Sequence, residues 1–371
     1  MNYPFDSIWI NQGEVSIDAL CSGNAKAVSE FEASTFSFIA AWLSGGNEFT
    51  LQTSGSTGSP KSITFTRNQL KASAARTVNA LGLRPGITAL VCLNTKYVAG
   101  KMMLVRALEH QMKIIAVGPS SDPFRQIPED FQIDFVAVAP LQLQTLVDNP
   151  LYTNRLNTMK AILVGGATVN LKLKASINSL ACPVYETFGM TETLSNIALK
   201  RLNPTEASDL FIPLPGVTLS LDSRGCLVVT DPIQPDAIIT NDVVQIHENG
   251  FQWLGRADNV INSGGVKIYA EFVESLLEVA FQNLSVRYNY FIGRLPDNQL
   301  GELVALYIEG HYLDLNDLIK LKEAVASIPE KFQRPRKIVL IASFQYTPTG
   351  KITRKSTMDG PIMPVKQIIT L

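Results

Sequence analysis

Four cysteines and three histidines are all that 371 residues provide, and this scarcity narrows the chemistry. Cys21, Cys92, Cys182 and Cys226 are far apart, without a C-x-x-C pair, and read as isolated thiols in mostly apolar, buried surroundings. His110, His247 and His311 are equally dispersed, so neither a zinc site nor a Ser-His-Asp triad has support. Charge of one sign is also missing. The 32 Lys and Arg balance 33 Asp and Glu and are scattered, which offers no face to nucleic acid or anionic lipid. Mean hydropathy is +0.12, yet no apolar run approaches the roughly 18 residues of a membrane span. Met1-Asn2-Tyr3-Pro4-Phe5-Asp6 lacks the basic start and apolar core of a secretory signal. These absences lead us to expect a soluble, cytoplasmic protein with a small-molecule partner. Lysine, carboxylates and backbone amides must carry its chemistry, and the length suits two unequal domains.

What is present is a run of small hydroxyl residues and glycines, Thr53-Ser54-Gly55-Ser56-Thr57-Gly58-Ser59-Pro60-Lys61. Glycines let backbone N–H groups turn toward an anion, hydroxyls add donors, and Lys61 adds a positive charge. Pro60 stands where a Walker loop requires glycine. By composition alone such a run is also a flexible linker. Its flanks argue otherwise, because residues 49–52 and 62–66 alternate apolar and polar like two strands of a hairpin.

Along the chain, the first 48 residues carry one helical pattern over 25–44, with Val28, Phe31, Phe38, Ile39 and Trp42 as its apolar stripe. Asn68 is placed to cap a helix that ends near Leu81. Apolar strands at 89–93, 114–117, 135–138 and 161–164 then alternate with helices at 98–110, from 141 and from 170. This is the signature of a parallel sheet buried on both faces. Ligands of such sheets sit at the strands' carboxyl ends. Two loops qualify: Gly165-Gly166-Ala167, which reads as bare backbone for a ring or ribose or as a tight turn, and residues 184–193, expected just past a strand. From Leu214 the pattern changes to hairpins turning at 223–225 and 248–250. Helices at 270–282 and 315–327, strands at 289–293 and 303–309, and a last strand at 337–341 follow. A basic turn then carries Lys351, Arg354 and Lys355.

Together these stretches resemble the acyl-adenylate-forming enzymes, the superfamily of acyl-CoA synthetases, luciferases and peptide-synthetase adenylation domains. Residues 53–61 match its T-S-G-S/T-T-G-x-P-K signature throughout, and Phe188-Gly189-Met190-Thr191-Glu192 resembles its Y/F-G-x-T-E. Thr240-Asn241-Asp242 is similar to T-G-D, with Asn241 in place of a glycine, a change that Asn's tolerance of positive φ permits. Residues 255–268 match the G-R-x-D junction motif, and 348–354 match P-x-G-K-I/V-x-R. The resemblance implies an α/β fold. A large N-terminal domain, 1–257, would hold parallel β/α sheets and a small antiparallel barrel-like subdomain, and 258–371 would form a smaller, mobile α+β domain.

The same resemblance implies the site residues. Thr53, Ser54, Gly55, Ser56, Thr57, Gly58 and Lys61 would hold the ATP phosphates. Gly165, Gly166, Ala167, Glu186, Thr187 and Phe188 would line the adenine pocket, and Gly189 would also belong to the cofactor-binding set. Thr191 would contact the α-phosphate, Glu192 would hold magnesium, and Asp242 and Arg256 would bind the ribose. Asp258 would be the hinge, Gly264 and Gly265 would line the tunnel for the thiol arm of coenzyme A, and Lys351 would be the catalytic lysine, acting with Thr191 and Glu192. A hard cation beside phosphates wants a carboxylate, and a lysine stabilises charge gathering at the α-phosphorus.

Within the superfamily the chain is most similar to the short o-succinylbenzoate-CoA ligases of menaquinone synthesis. Residues 189–197 resemble their G-M-T-E-T-x-S-Q-I, with Asn196 replacing Gln, and 98–106 resemble a segment ending in an arginine that faces the succinyl carboxylate. This implies Arg106, Lys101 and Ser195 as substrate residues, since a diacid needs a cation for its non-reacting carboxylate. Lys96-Tyr97 replaces the family's Phe-His at the start of that segment. Another acyl- or aryl-CoA ligase, a domain loading a carrier protein, and a non-catalytic nucleotide-binding relative stay as alternatives, and the oligomeric state is left open.

Overall fold

The computed structural model describes residues 3–52, 62–167, 169–203, 207–347, 352–360 and 365–371. It divides into two compact units. Met1–Leu219, Val229–Ile238 and Glu248–Phe251 form the first, and Ser220–Val228, Ile239–His247 and Gln252–Leu371 form the second.

The first unit opens with an antiparallel pair, β1 (Ser7–Ile10) and β2 (Gly13–Ser16), then α1 (Ile17–Cys21) and α2 (Glu30–Leu43). A second hairpin, β3 (Glu48–Gln52) and β4 (Ser62–Thr66), leads into α3 (Arg67–Ala80). The β/α alternation follows: β5 (Thr88–Val91), α4 (Val98–Glu109), β6 (Lys113–Ala116), β7 (Phe135–Val138), α5 (Pro140–Asp148), α6 (Thr153–Asn157), β8 (Ala161–Val164), α7 (Leu171–Ile177), β9 (Val184–Met190), β10 (Ser195–Arg201) and β11 (Ile212–Pro213). Nine strands join in the order β11-β10-β9-β8-β7-β5-β6-β1-β2. From β9 to β1 the neighbours run parallel, and the two edges are finished by antiparallel strands.

Alternation along these strands builds a core on each face. Ala89, Val91, Ile114, Ala116, Phe135, Ala161 and Leu163 pack with Leu70, Ala74 and Val78 of α3 and Met102 and Val105 of α4. The intervening Leu90, Ile115, Val136, Val138, Ile162 and Val164 pack with Leu143 and Leu146 of α5 and Leu173 and Ile177 of α7. Each buried Val, Leu, Ile, Met or Phe among them contributes about 2 kcal/mol of transfer free energy. The expected sheet with two covered faces is thus present.

Two further hairpins, β12 (Thr218–Leu221) with β13 (Cys226–Thr230) and β14 (Ile238–His247) with β15 (Gly250–Arg256), form a four-stranded sheet in sequential order. Its residues are divided between the units.

The second unit adds β16 (Val260–Ser263), β17 (Val266–Tyr269), α8 (Ala270–Asn283), β18 (Tyr290–Asp297), β19 (Gly301–Glu309), α9 (Leu315–Ala326), β20 (Lys337–Ile341), α10 (Arg354–Asp359) and β21 (Val365–Thr370). Its sheet runs β17-β16-β19-β20-β21, with β18 paired to β19. Val273 and Leu277 of α8 and Leu321 and Val325 of α9 cover the face carrying Ile292, Val304, Leu306 and Ile338. Phe291, Tyr307, Val339 and Phe344 form a smaller cluster with Ile352 and Met358.

Four local expectations need correction. α2 starts at Glu30, where the Ser29 side chain accepts from Glu32 N–H, so Val28 lies outside the helix and is 87% exposed. α3 is capped by Thr66, not Asn68, because Thr66 and Gln69 form a reciprocal capping box. Cys21 is exposed, unlike the other three cysteines. The strand at 337–341 is not the last, since β21 pairs antiparallel with it. No helix among the described residues is long and apolar enough to cross a membrane.

Candidate active site

Thr53, Ser54, Gly55, Ser56, Thr57, Gly58, Lys61 and Lys351 lie outside the described residues. The frames around them are described. β3 and β4 pair from Glu48↔Thr66 to Gln52↔Ser62, with Thr50 and Thr64 hydroxyls 3.0 Å apart, so the run 53–61 is bounded by two bonded strand ends. Tyr346 and Ile352 pair across the segment that contains Lys351.

Beyond β8 the chain passes through Gly165 and Gly166, the latter with φ +84°. A side chain at Gly165 would place its Cβ under 3.0 Å from Thr187 Oγ1, whose hydroxyl donates to Val164 O at 3.3 Å. The bare backbone at Gly165 therefore makes room for the Thr187 hydroxyl. Residues 185–190 were expected in a loop. They are the body of β9, because β10 pairs with them from Arg201↔Tyr185 to Ser195↔Met190 and satisfies their backbone. Glu186 meets Lys200 on β10 at 2.6 Å, an ionic contact without hydrogen-bond alignment, and Lys200 lies 4.4 Å from the Phe211 ring centroid. Phe188 packs edge-on against Phe251. At Gly189 a Cβ would run into the Ser195 carbonyl, so this glycine serves the β9–β10 approach.

The turn after β9 is tight. Leu194 and Ser195 adopt positive φ, and Thr193 Oγ1 accepts from Met190 N–H at 2.9 Å. Thr191 is buried beside exposed Glu192, whose carboxylate has no partner among the described residues. Such a free, single carboxylate suits magnesium, which takes one or two carboxylates and fills its other positions with waters and substrate phosphates. Glu192 would hold that ion.

Arg106 on α4 is 2% exposed. Its Nη2 donates to Asn196 Oδ1 at 2.7 Å, to Ser195 Oγ at 3.1 Å and, at 3.5 Å, to Thr77 Oγ1. Nη1 faces Met103 Sδ at 3.7 Å, and buried Nε has no partner among the described residues. No carboxylate among the described residues pairs with it, and burial pushes its pKa down to about 10. The structure thus brings Arg106 and Ser195 together. Lys101 lies five positions earlier, about 140° around the helix, and donates to Thr50 O at 2.9 Å instead. Burial lowers its pKa. Lys96, at the departure from the family pattern, pairs with Glu30 at 2.8 Å.

In the second unit Asp242, Arg256 and Asp258 come together. Asp242 is 6% exposed and burial raises its pKa, opposed by two groups. Trp253 Nε1 donates to Oδ1 at 3.0 Å, and Arg256 Nη1 stands 3.6 Å from Oδ2. Arg256 Nη2 reaches Asp258 Oδ2 at 3.2 Å. Gly264 and Gly265, both at positive φ, are the two-residue turn between β16 and β17, the geometry that a tight hairpin demands. Glu271 accepts from Asn259 Nδ2 at 2.6 Å and from Arg256 N–H at 3.3 Å, and lies 3.5 Å from Arg354. Glu274 accepts from Arg354 at 2.8 Å and from Ile292 N–H at 2.6 Å, and burial raises its pKa to about 7.

Sequence reasoning missed Thr77, Trp253, Glu271 and Glu274 at these clusters. Each lies in a helix or strand whose periodicity assigns it to packing or to a solvated face. The one available signal was Gly255, which interrupts the strand between Trp253 and Arg256.

Residues 49–228 match the family model described as AMP-binding enzyme. The 2-succinylbenzoate–CoA ligase of Lactococcus lactis subsp. lactis (strain IL1403) is 25% identical over 324 residues, 82% of this chain and 69% of that protein. Its namesake from Bacillus cereus (strain ATCC 10987 / NRS 248) is 25% identical over 335 residues, 82% and 68% of the two chains. Among solved structures, the acyl-CoA synthetase (AMP-forming)/AMP-acid ligase II-like protein from Dyadobacter fermentans DSM 18053 is 40% identical. It covers 91% of this chain and 97% of that one, with a TM-score of 0.61. The o-succinylbenzoate coenzyme A synthetase of Bacillus subtilis, solved with ATP and magnesium, is 20% identical over 84% and 69% of the chains, with a TM-score of 0.71, a likeness of fold. The expected architecture is therefore found: a large unit on a mainly parallel sheet, a small antiparallel sheet, and a smaller α+β unit.

Proposed function

This chain belongs to the AMP-binding enzyme family, and from that premise we propose that it is an ATP-dependent acid–thiol ligase whose acid is o-succinylbenzoate and whose thiol is coenzyme A. In the first step an oxygen of the acid's carboxylate bonds to the α-phosphorus of ATP as the bond to pyrophosphate breaks. In the second, a thiolate bonds to the acyl carbon and AMP leaves with the electron pair of the C–O bond. Lys351 and Thr191 stabilise the charge that gathers at phosphorus, and Lys61 with the hydroxyls and amides of residues 53–58 holds the leaving group. Asp242 and Arg256 hold the ribose. Gly165 to Ala167 with Glu186 to Phe188 form the adenine side, and Gly264 and Gly265 leave room for the thiol arm. Asp258 serves as the hinge between a domain of residues 1–257 and one of 258–371.

The observation that carries the choice of acid is Arg106, a buried guanidinium with hydroxyl and amide partners and no carboxylate among the described residues. A cation kept out of water without a counter-ion costs several kcal/mol, and the second carboxylate of a diacid offsets that cost. The two relatives named 2-succinylbenzoate–CoA ligase support the same acid.

The test is pyrophosphate release from ATP and magnesium with o-succinylbenzoate, benzoate or a medium-chain fatty acid, then coenzyme A addition and mass detection of the thioester. Release with the diacid alone, lost in Lys351→Ala, is expected. Release with another acid keeps the ligase and removes the substrate assignment. ATP binding without release with any acid favours a non-catalytic relative.

A further inference from the structure

Trp253 and Arg256 are three positions apart in β15, so in a regular strand they would face opposite sides of the sheet. Both reach one carboxylate, that of Asp242 on β14. The break lies at Gly255, where φ is +151°. Arg256 Nη1, at 3.6 Å from Oδ2, is too far for a hydrogen bond. The indole N–H, at 3.0 Å from Oδ1, is within range. It is a donor with no acceptor capacity on a stiff ring. A carboxylate as buried as Asp242 needs a fixed donor to stay oriented.

We propose that Trp253 is a positioning residue for nucleotide binding. Its indole N–H occupies Oδ1 of Asp242 and thereby turns the remaining lone pairs of that carboxylate toward the vicinal hydroxyls of the ribose. This rests on the reading of Asp242 as the ribose carboxylate given above. On this reading Trp253 acts through Asp242 and not on the nucleotide itself. Its contribution is to angle, and angle matters for a diol, which needs two acceptor positions in fixed register.

The test is calorimetric binding of ATP, 2′-deoxy-ATP and 3′-deoxy-ATP, each with magnesium, to the full chain, a measurement independent of the acid and of Lys351. The wild type is expected to prefer ATP over each deoxynucleotide roughly tenfold, the value of a hydrogen bond to a charged acceptor, and Asp242→Asn to lose that preference. Trp253→Phe should bind the deoxynucleotides like the wild type and ATP only as well as them. Trp253→His, which retains a ring N–H, should recover part of the preference, and it decides the matter should the Phe variant not fold.

A Phe variant that keeps the full preference, or that weakens all three nucleotides equally, overturns the proposal while leaving the Asp242 reading intact. A folded His variant without any preference does the same. A wild type without preference, or an Asp242→Asn variant that keeps it, overturns the Asp242 reading and the proposal with it.

Discussion

Arg106 Nη2 donates to Asn196 Oδ1 at 2.7 Å, and the amide of Asn196 donates in turn to Thr77 Oγ1 at 3.3 Å. The guanidinium is thus held by neutral groups that also pair with one another, as Ser195 Oγ does with Asn196 Oδ1 at 3.2 Å. Arg106→Met should therefore leave the thermal midpoint unchanged or a few degrees higher, since it removes an uncompensated buried charge and strands few partners. The same variant should lose about 100-fold in kcat/KM for o-succinylbenzoate, the scale of a desolvated charge pair. Equal losses with mono- and diacids would remove Arg106 from acid recognition.

Glu274 gives a pH signature to stability. Its pKa is raised by burial from the ordinary 4.5 to about 7, against the pull of Arg354. Between these values the folded state binds the extra proton, so the contribution is fully present below pH 4.5 and is lost as pH rises through 7. Thermal midpoints should fall by a few degrees between pH 5 and pH 8. Glu274→Gln, which cannot ionise, should flatten that slope. A slope unchanged in the Gln variant would assign it to other groups.

Periodicity made the framework legible. The alternation around residues 53–61 gave the β3–β4 hairpin, and the apolar strands from 89 to 164 gave the covered sheet, because burial on both faces demands that pattern. β21 was hidden because Pro361 and Pro364 precede it and its residues become a strand only by pairing with β20. β9 read as a loop because Glu186 and Gly189 are poor strand formers, and the pairing with β10 overrides that preference. The motif residues Asp242, Arg256 and Asp258 could be named from the resemblance of their stretches to the family's motifs. The groups that orient them, Trp253 and Glu271, could not, since their contacts depend on how strands and a helix come together.

Gly165 and Thr187 should behave as a pair. A Cβ at 165 falls under 3.0 Å from Thr187 Oγ1 but clears the Thr187 Cβ at 3.5 Å. Gly165→Ala should cost about 2 kcal/mol or more in chemical denaturation, and adding Thr187→Ala should restore most of it. A double variant no more stable than Gly165→Ala would mean that the backbone itself, and not the hydroxyl, excludes a side chain there.

Gly255 should be the most sensitive glycine of the Asp242 cluster. Its φ of +151° disfavours any side chain, and an added Cβ would fall under 3.0 Å from Glu271 Oε2 and 3.2 Å from its carboxyl carbon. Glu271 can swing away, but it then releases Asn259 and the Arg256 N–H, which hold the end of β15 in place. Gly255→Ala should therefore lose about 3 kcal/mol, part from backbone strain and part from those bonds, and should raise KM for ATP as Arg256 leaves Asp242. Glu271→Ala forfeits the same bonds without the strain. In the double variant the bonds are lost only once, so the denaturation cost should fall short of the sum of the two single costs by about 1–2 kcal/mol. Additive costs would show that Glu271 does not act through the strand end that Gly255 shapes.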